Sequence, residues 1–415
     1  KLVQIVRNTV KLEEQEAKSE IIEVEQFGHT HKIGVIDIPT FYIDFQALQE
    51  GNKDFKSTTR DVQELLVKLV ADGVEGIIID LRDNGGGSLQ EARTLTGLFI
   101  DQGPTVLVRN NNGRVDILND RDIKTAYDGP LAVVVNRLSA SASEIFAGAI
   151  QDYDRGLIIG NQTFGKGTVQ TLLPLNQGQL KLTAAKFYRI TGESTQHKGV
   201  LPDIDFPLDY DPESIGESTL ESPLPWDKIR ATSYQLKSHV SQLKQELIGL
   251  HDSRSASDPE FIYMRDAAAY RQARSKQELI SLNLVTRQQE KIDSDDFWLT
   301  LENTKRKRQD LEPIASLDEL NPKRDEPELA SVPTTDVITI SVDGATSLDT
   351  PGPQEPTAAP ALIDINGEEA SDDSLPPLRA DASPDAHLIE SGNILLDLIS
   401  LEKRMAAETP KQQAI

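Results

Sequence analysis

The sequence predicts an α/β protein: a layered β-α-β core followed by a helical C-terminal domain. Short apolar runs of strand length alternate with stretches at helical spacing up to about residue 207. Two small-residue loops, at 82–88 and 136–141, each follow such a run and open a helix. Beyond Pro207 the chain turns to Lys, Glu, Gln, Leu and Ala, the material of polar helices.

Residues 1–25 alternate apolar and polar and then become charged, reading as the last strand of an upstream domain plus a connector. The first core strand is 33–38. A helix over 59–72 carries Val62, Leu65, Leu66, Leu69 and Val70 on one face, and Gly73 stops it. The strand 76–81 runs into Arg82-Asp-Asn-Gly-Gly-Gly-Ser88, and a helix at 89–100 leaves that loop. Strands recur at 105–109 and 131–136, and a helix starts at Ser141. Leu157, Ile158 and Ile159 form a short buried strand ending at Gly160, and 168–173 is another strand. Residues 226–310 read as polar helices. The stretch 321–386, crowded with Pro, Asp, Glu, Ser and Thr, reads as a loosely ordered linker. A last amphipathic helix over 389–405 carries Ile394, Leu395, Leu398, Ile399 and Leu401. The expected division is a connector at 1–25, a core at 26–208, a helical domain at 209–320, the linker at 321–386, and a C-terminal helix and tail at 387–415. No internal repeat is visible.

The chain has 415 residues, a formal charge of −24 and no cysteine. Its acidity argues against binding nucleic acid through phosphate neutralisation. The missing cysteines exclude disulfides and thiol chemistry without naming a compartment. No apolar run approaches the ~18 residues of a membrane span. The opening Lys1-Leu-Val-Gln-Ile-Val-Arg7 reads as an interior strand and not a signal peptide, so a longer precursor is expected.

Ser141 and Lys166 stand 25 residues apart and carry the chemical argument. A serine hydroxyl is a weak nucleophile and needs a base within reach, and a lysine amine serves only when neutral, hence desolvated. Leu157, Ile158, Ile159 and Phe164 offer apolar cover, and Gly165 and Gly167 allow tight turns on either side of Lys166. Ser141-Ala-Ser-Glu144 is also a capping box, and that reading is compatible with catalysis. The N–H of Ala142, at a helix N-terminus, is one oxyanion donor. The glycine run supplies the other, with Gly87 favoured and Gly86 next; its plainer reading is a flexible turn. Gln170 lies about 13 Å along a strand from Lys166 unless a turn at Gly167 shortens the path; it is either the lysine's orienting partner or an ordinary strand glutamine. Asp152 is about 16 Å along the helix from Ser141, too far to touch it, and reads as structural support. Gly160-Asn-Gln-Thr-Phe-Gly-Lys166 begins like a phosphate-binding loop, but Gly167 stands where Ser or Thr must hold magnesium. None of the six histidines sits near the serine in a motif, and His29-x-His31 alone is weak evidence for a metal.

Together these runs resemble the tail-specific proteases, carboxy-terminal processing peptidases of the serine-lysine class. The resemblance is carried by Ile79-Asp-Leu-Arg-Asp-Asn-Gly-Gly-Gly87, Ser139-Ala-Ser-Ala-Ser-Glu-Ile-Phe146, Gln151-Asp-Tyr153, Thr163-Phe-Gly-Lys-Gly-Thr-Val-Gln170 and Lys186-Phe-Tyr-Arg189 with Gly199-Val-Leu-Pro-Asp-Ile204. Leu224-Pro-Trp-Asp227 and Asp258-Pro-Glu-Phe261 resemble the C-terminal region of the longer bacterial members. The resemblance implies a ClpP/crotonase-like core, with Ser141 as nucleophile, Lys166 as general base and Gln170 as its partner. Ala142 and a loop glycine would form the oxyanion hole. It further implies cleavage of proteins near apolar C-termini without ATP, metal or other cofactor, in the bacterial periplasm, with an adaptor among the partners. The family often has Pro where Gly85 stands here. Its PDZ-like module should precede the core, and only residues 1–25 could be its end. The alternative expectation is therefore a catalytically impaired peptide-binding chain.

Overall fold

The computed structural model describes residues 15–208, 210–277, 279–320 and 385–408. In chain order the elements are β1 (Lys18–Gln26), β2 (His29–Asp37), α1 (Phe45–Gln49), α2 (Thr58–Ala71), β3 (Gly76–Asp80), α3 (Leu89–Gly97), β4 (Gly103–Asn110), β5 (Val115–Asp120), β6 (Leu131–Val135), α4 (Ala142–Asp152), β7 (Leu157–Gly160), β8 (Thr168–Pro174), β9 (Gln179–Tyr188), β10 (Ile204–Asp205), α5 (Val240–Ser255), α6 (Pro259–Ser275), α7 (Leu284–Arg308) and α8 (Ala386–Glu408).

The main sheet has the order β1-β2-β3-β6-β7-β10. Its strands run parallel except β1, which pairs antiparallel with β2. Strands buried on both faces read as unbroken apolar runs, as Gly76-Ile-Ile-Ile and Leu131-Ala-Val-Val-Val do. Alternate residues serve two cores. Ile77, Ile79, Val133 and Val135 face Val62 and Leu66 of α2, Leu95 of α3 and Phe146 of α4. Ile78, Ala132 and Val134 face Leu243 and Leu247 of α5 and Leu395 and Leu398 of α8. Two glycines let α8 sit close: a Cβ on Gly76 would lie 2.6 Å from Leu395 Cδ2, and one on Gly392 2.8 Å from Val24 Cγ2.

The mixed α/β class with a parallel sheet and a helical C-terminal region agrees with expectation, with two corrections of detail. Residues 18–26, expected in the connector, form the edge strand of the main sheet, because β1 pairs along its whole length with β2 and buries Val24. The strand at 105–109 belongs to a second, antiparallel sheet of order β5-β4-β9-β8. That sheet escaped the sequence because β5 and most of β9 are exposed and lack an apolar run. Residues through 272 and those from 385 to 408 form one compact unit with the sheet, and residues from 273 to 320 another. In that second unit α7 is capped by the side chain of Asn283, buries Trp298 and Leu301, and ends in Lys305-Arg-Lys-Arg308, where cations complement the helix dipole. The strand expected at the very start, the tail after 408 and, apart from Asp385 and Ala386, the linker lie outside the described residues. Among the described residues no helix is long and apolar enough to cross a membrane.

Candidate active site

Strands β3 and β6 are parallel neighbours, so the loops leaving their carboxyl ends emerge side by side. Side chains bind the two loops together. The Asp83 N–H donates to Asn136 Oδ1 at 3.0 Å, and Asn136 Nδ2 donates to Asp83 Oδ1 at 2.8 Å. The Ser139 hydroxyl donates to the Leu81 carbonyl at 2.7 Å. The Ala140 N–H and the Ser143 hydroxyl both donate to the Asn84 carbonyl at 2.9 Å.

Ser141 stands at the junction of the second loop with α4, at φ 57° and ψ −108°. An L-residue seldom takes such a conformation; it costs on the order of 1–3 kcal/mol and persists only where neighbours enforce it. Here the Ser141 N–H donates to Glu144 Oε2 at 2.8 Å, the glutamate half of the expected box. Ala142 opens the helix, so its N–H has no acceptor within it.

The glycine loop lies directly against this turn. Gly86 has φ +103°, and a Cβ there would meet Ala140 O at 2.8 Å, Ser141 Cβ at 2.8 Å and Ala142 N at 3.0 Å. The two favoured glycines differ in their amides. The Gly86 N–H is committed to Asn84 Oδ1 at 2.8 Å. Gly87 is bridged in parallel to Phe41: the Phe41 N–H donates to Gly86 O at 2.9 Å and the Ser88 N–H to Phe41 O at 2.8 Å. That pattern turns the Gly87 N–H away from Phe41 and leaves it available. Gly86→Ala is expected to cost about 1–3 kcal/mol of stability, checked by thermal melting.

Lys166 reaches the same place through Glu144, a fully buried carboxylate. Glu144 Oε1 accepts the Thr163 hydroxyl at 2.6 Å and the Gly165 N–H at 2.7 Å. Its Oε2 accepts the Ser141 N–H at 2.8 Å and the Lys166 N–H at 2.9 Å. One oxygen thus holds the backbone nitrogens of both residues, whose separation cannot exceed the two bond lengths laid end to end. Burial pushes the Glu144 carboxyl up to about 7, although its four donors pull the other way. The sequence had offered Glu144 only as a cap. The tie to Thr163, Gly165 and Lys166 is long-range, and no local pattern announces it.

The Lys166 side chain is half-buried, and its amine has no hydrogen-bond or ion-pair partner among the described residues. Burial lowers its pKa from the ordinary lysine value, and the ammonium of Lys181 lowers it further, against the pull of the Glu217 and Glu144 carboxylates. Gln170 is exposed on β8 opposite Thr183, just after a bulge, and its amide is not hydrogen-bonded to Lys166. Leu157, Ile158 and Ile159 fill the two cores of the sheet.

Asp152 closes α4 away from this junction. Both its oxygens accept Arg189 Nε at 3.1 Å, and burial raises its pKa against the opposing guanidinium. Asp152→Ala leaves the partly buried guanidinium with Gln151 and the Gly148 carbonyl but no carboxylate, and is expected to cost about 1–3 kcal/mol in urea unfolding. Arg189→Met added to it should cost less than the two changes separately. No group of His, Asp or Glu among the described residues could hold a metal ion.

Residues 32–206 match the model of peptidase family S41. Residues 210–343 match the model of the C-terminal domain of tail specific protease. The chain is 40% identical to the tail-specific protease of Haemophilus influenzae over 332 residues, 77% of this chain and 45% of that protein. It is 34% identical to the carboxy-terminal-processing protease of Bartonella bacilliformis over 221 residues, 53% of this chain and 47% of that one. The chain thus spans about half the length of these curated relatives. Among solved structures, the photosystem II D1 C-terminal processing protease aligns with a TM-score of 0.38 and 30% identity, over 47% of this chain and 48% of that chain.

Proposed function

From the match of residues 32–206 to peptidase family S41 and the likeness to tail-specific proteases, we propose that the chain is a serine endopeptidase with Ser141 as nucleophile and Lys166 as base. The observation that carries the proposal is the shared Glu144 oxygen, which draws Ser141 and Lys166 to one point while the lysine amine stays unpaired and partly desolvated.

In this mechanism the neutral Lys166 amine takes the hydroxyl proton as Ser141 Oγ bonds to the scissile carbonyl carbon. The carbonyl oxygen gains the negative charge and is received by the N–H groups of Ala142 and Gly87. Gly86 shapes the loop instead of donating. The lysine ammonium then gives its proton to the departing amine as the C–N bond breaks. Water, deprotonated by the same amine, releases the acyl group and restores Ser141. Gln170, not bonded to the amine in the free protein, is proposed to orient it once substrate is bound. The substrates proposed are unfolded or apolar C-terminal segments of proteins, cut without ATP or metal in the periplasm, with an adaptor as a further partner.

The test is digestion of a denatured protein by the parent chain and by Ser141→Ala, with product ends read by mass spectrometry. New C-termini with the parent alone support the proposal. Binding without cleavage by the parent, or equal cleavage by both, contradicts it.

A further inference from the structure

The loop that presents Gly87 begins at Arg82, and Arg82 is gripped from two sides. On its own strand end, Asp80 accepts the Arg82 N–H at 3.0 Å and Nε at 3.0 and 3.1 Å on its two oxygens. From the far end of the sequence, Asp385 Oδ2 accepts an Arg82 guanidinium N–H at 2.7 Å. Asp385 also starts α8: its Oδ1 accepts the His387 N–H at 2.9 Å and the Leu388 N–H at 3.3 Å. One carboxylate therefore caps the helix and holds the first residue of the loop. The remainder of α8 is fixed on the far face of the sheet by Leu388, Ile394, Leu395 and Leu398. From Arg82 the restraint passes through the Asp83–Asn136 pair and through Asn84, whose side chain fixes the Gly86 amide and whose carbonyl fixes Ala140.

We infer that Asp385 is a positioning residue for the oxyanion loop, so that docking of α8 sets how well the Gly87 N–H meets the charge formed on substrate. This inference rests on the reading of Ser141 and Gly87 given above. A half-exposed ion pair between fixed elements is weak by itself, so the expected effect is graded. A small misplacement of an oxyanion donor still acts on the transition state more than on bound substrate.

The test uses Asp385→Asn in the 415-residue chain. Asparagine caps a helix as well as aspartate but carries no charge for Arg82. The expected result is kcat lower by about fivefold with KM unchanged and the melting temperature nearly kept. Asp385→Glu should recover part of the loss, and Asp385→Asn in an Arg82→Gln background should cause no further loss. Hydrogen exchange provides a readout independent of turnover: amides 83–87 should exchange faster in Asp385→Asn while those of β3 do not change. Unchanged loop exchange overturns the inference, as does an unchanged kcat or an equal loss without Arg82. Equal cleavage by Ser141→Ala and the parent would instead contradict the site assignment, and the exchange result would still judge the link from α8 to the loop.

Discussion

Ser141→Ala lowers turnover of an unfolded protein by at least about 10³-fold, and Lys166→Ala does the same, while both variants stay folded. The two losses do not add, because each removes the same step: without the hydroxyl there is nothing to deprotonate, and without the amine nothing to take the proton. Lys166→Arg does not restore activity, since a guanidinium keeps its proton throughout the working range. The pH dependence follows from the same chemistry. Only the uncharged amine accepts a proton, so kcat/KM rises with pH as Lys166 deprotonates. Burial disfavours the ammonium, and Lys181 adds to this, so the rise comes below the roughly 10.4 of an exposed lysine. Lys181→Ala removes one of these influences and should move the rise to higher pH. A stopped assay over pH 6 to 10 in the parent and in Lys181→Ala checks both statements.

The second large effect is expected at Glu144, a residue that touches no substrate in the mechanism. Each of its oxygens receives two donors, so an amide NH₂ would face donors whichever way Glu144→Gln turned. The variant is expected to lose about 2–4 kcal/mol of stability in urea unfolding, the cost of buried polar groups left unpaired. Its turnover should fall by about 10²-fold, since the loop at 163–166 is no longer held firmly against the serine turn. Stability against pH gives a separate readout. Folding raises the Glu144 pKa from its ordinary 4.5 to about 7, so between these values the folded state holds more proton than the unfolded one. This contribution is fully present below pH 4.5 and is lost as pH rises through about 7. Unfolding free energies measured across pH 4 to 8 should contain this falling component in the parent and lack it in Glu144→Gln.

Much of the candidate site's placement was legible in the sequence because the proposed chemistry is concentrated in short runs. The strand 76–81, the glycine loop after it and the serine turn after 131–136 lie where the apolar patterns put them, and the parallel pairing of β3 with β6 makes the two loops neighbours. What the runs could not reveal was long-range. Glu144 looks like a cap until the loop at 163–166 folds over it. Gly86 and Gly87 are alike in sequence, and only Asn84 and Phe41 divide their roles. The second sheet was hidden because β5 and most of β9 stay wet. β1 reads as part of a connector because a charged, alternating edge strand looks the same whichever sheet it joins. The role of α8 was invisible for a related reason: its apolar stripe announces a docking helix, while its N-terminal Asp385 has meaning only beside Arg82, some three hundred residues earlier.

The central claim is that Lys166 acts as an uncharged base, and ¹⁵N NMR of the lysine side-chain nitrogens tests it most directly. The Lys166 signal, assigned by its loss in Lys166→Ala, is predicted to titrate below the roughly 10.4 of a free lysine and to move upward when Lys181 is replaced. A midpoint at or above that ordinary value would contradict the account, because the amine would then be an ammonium wherever the enzyme works.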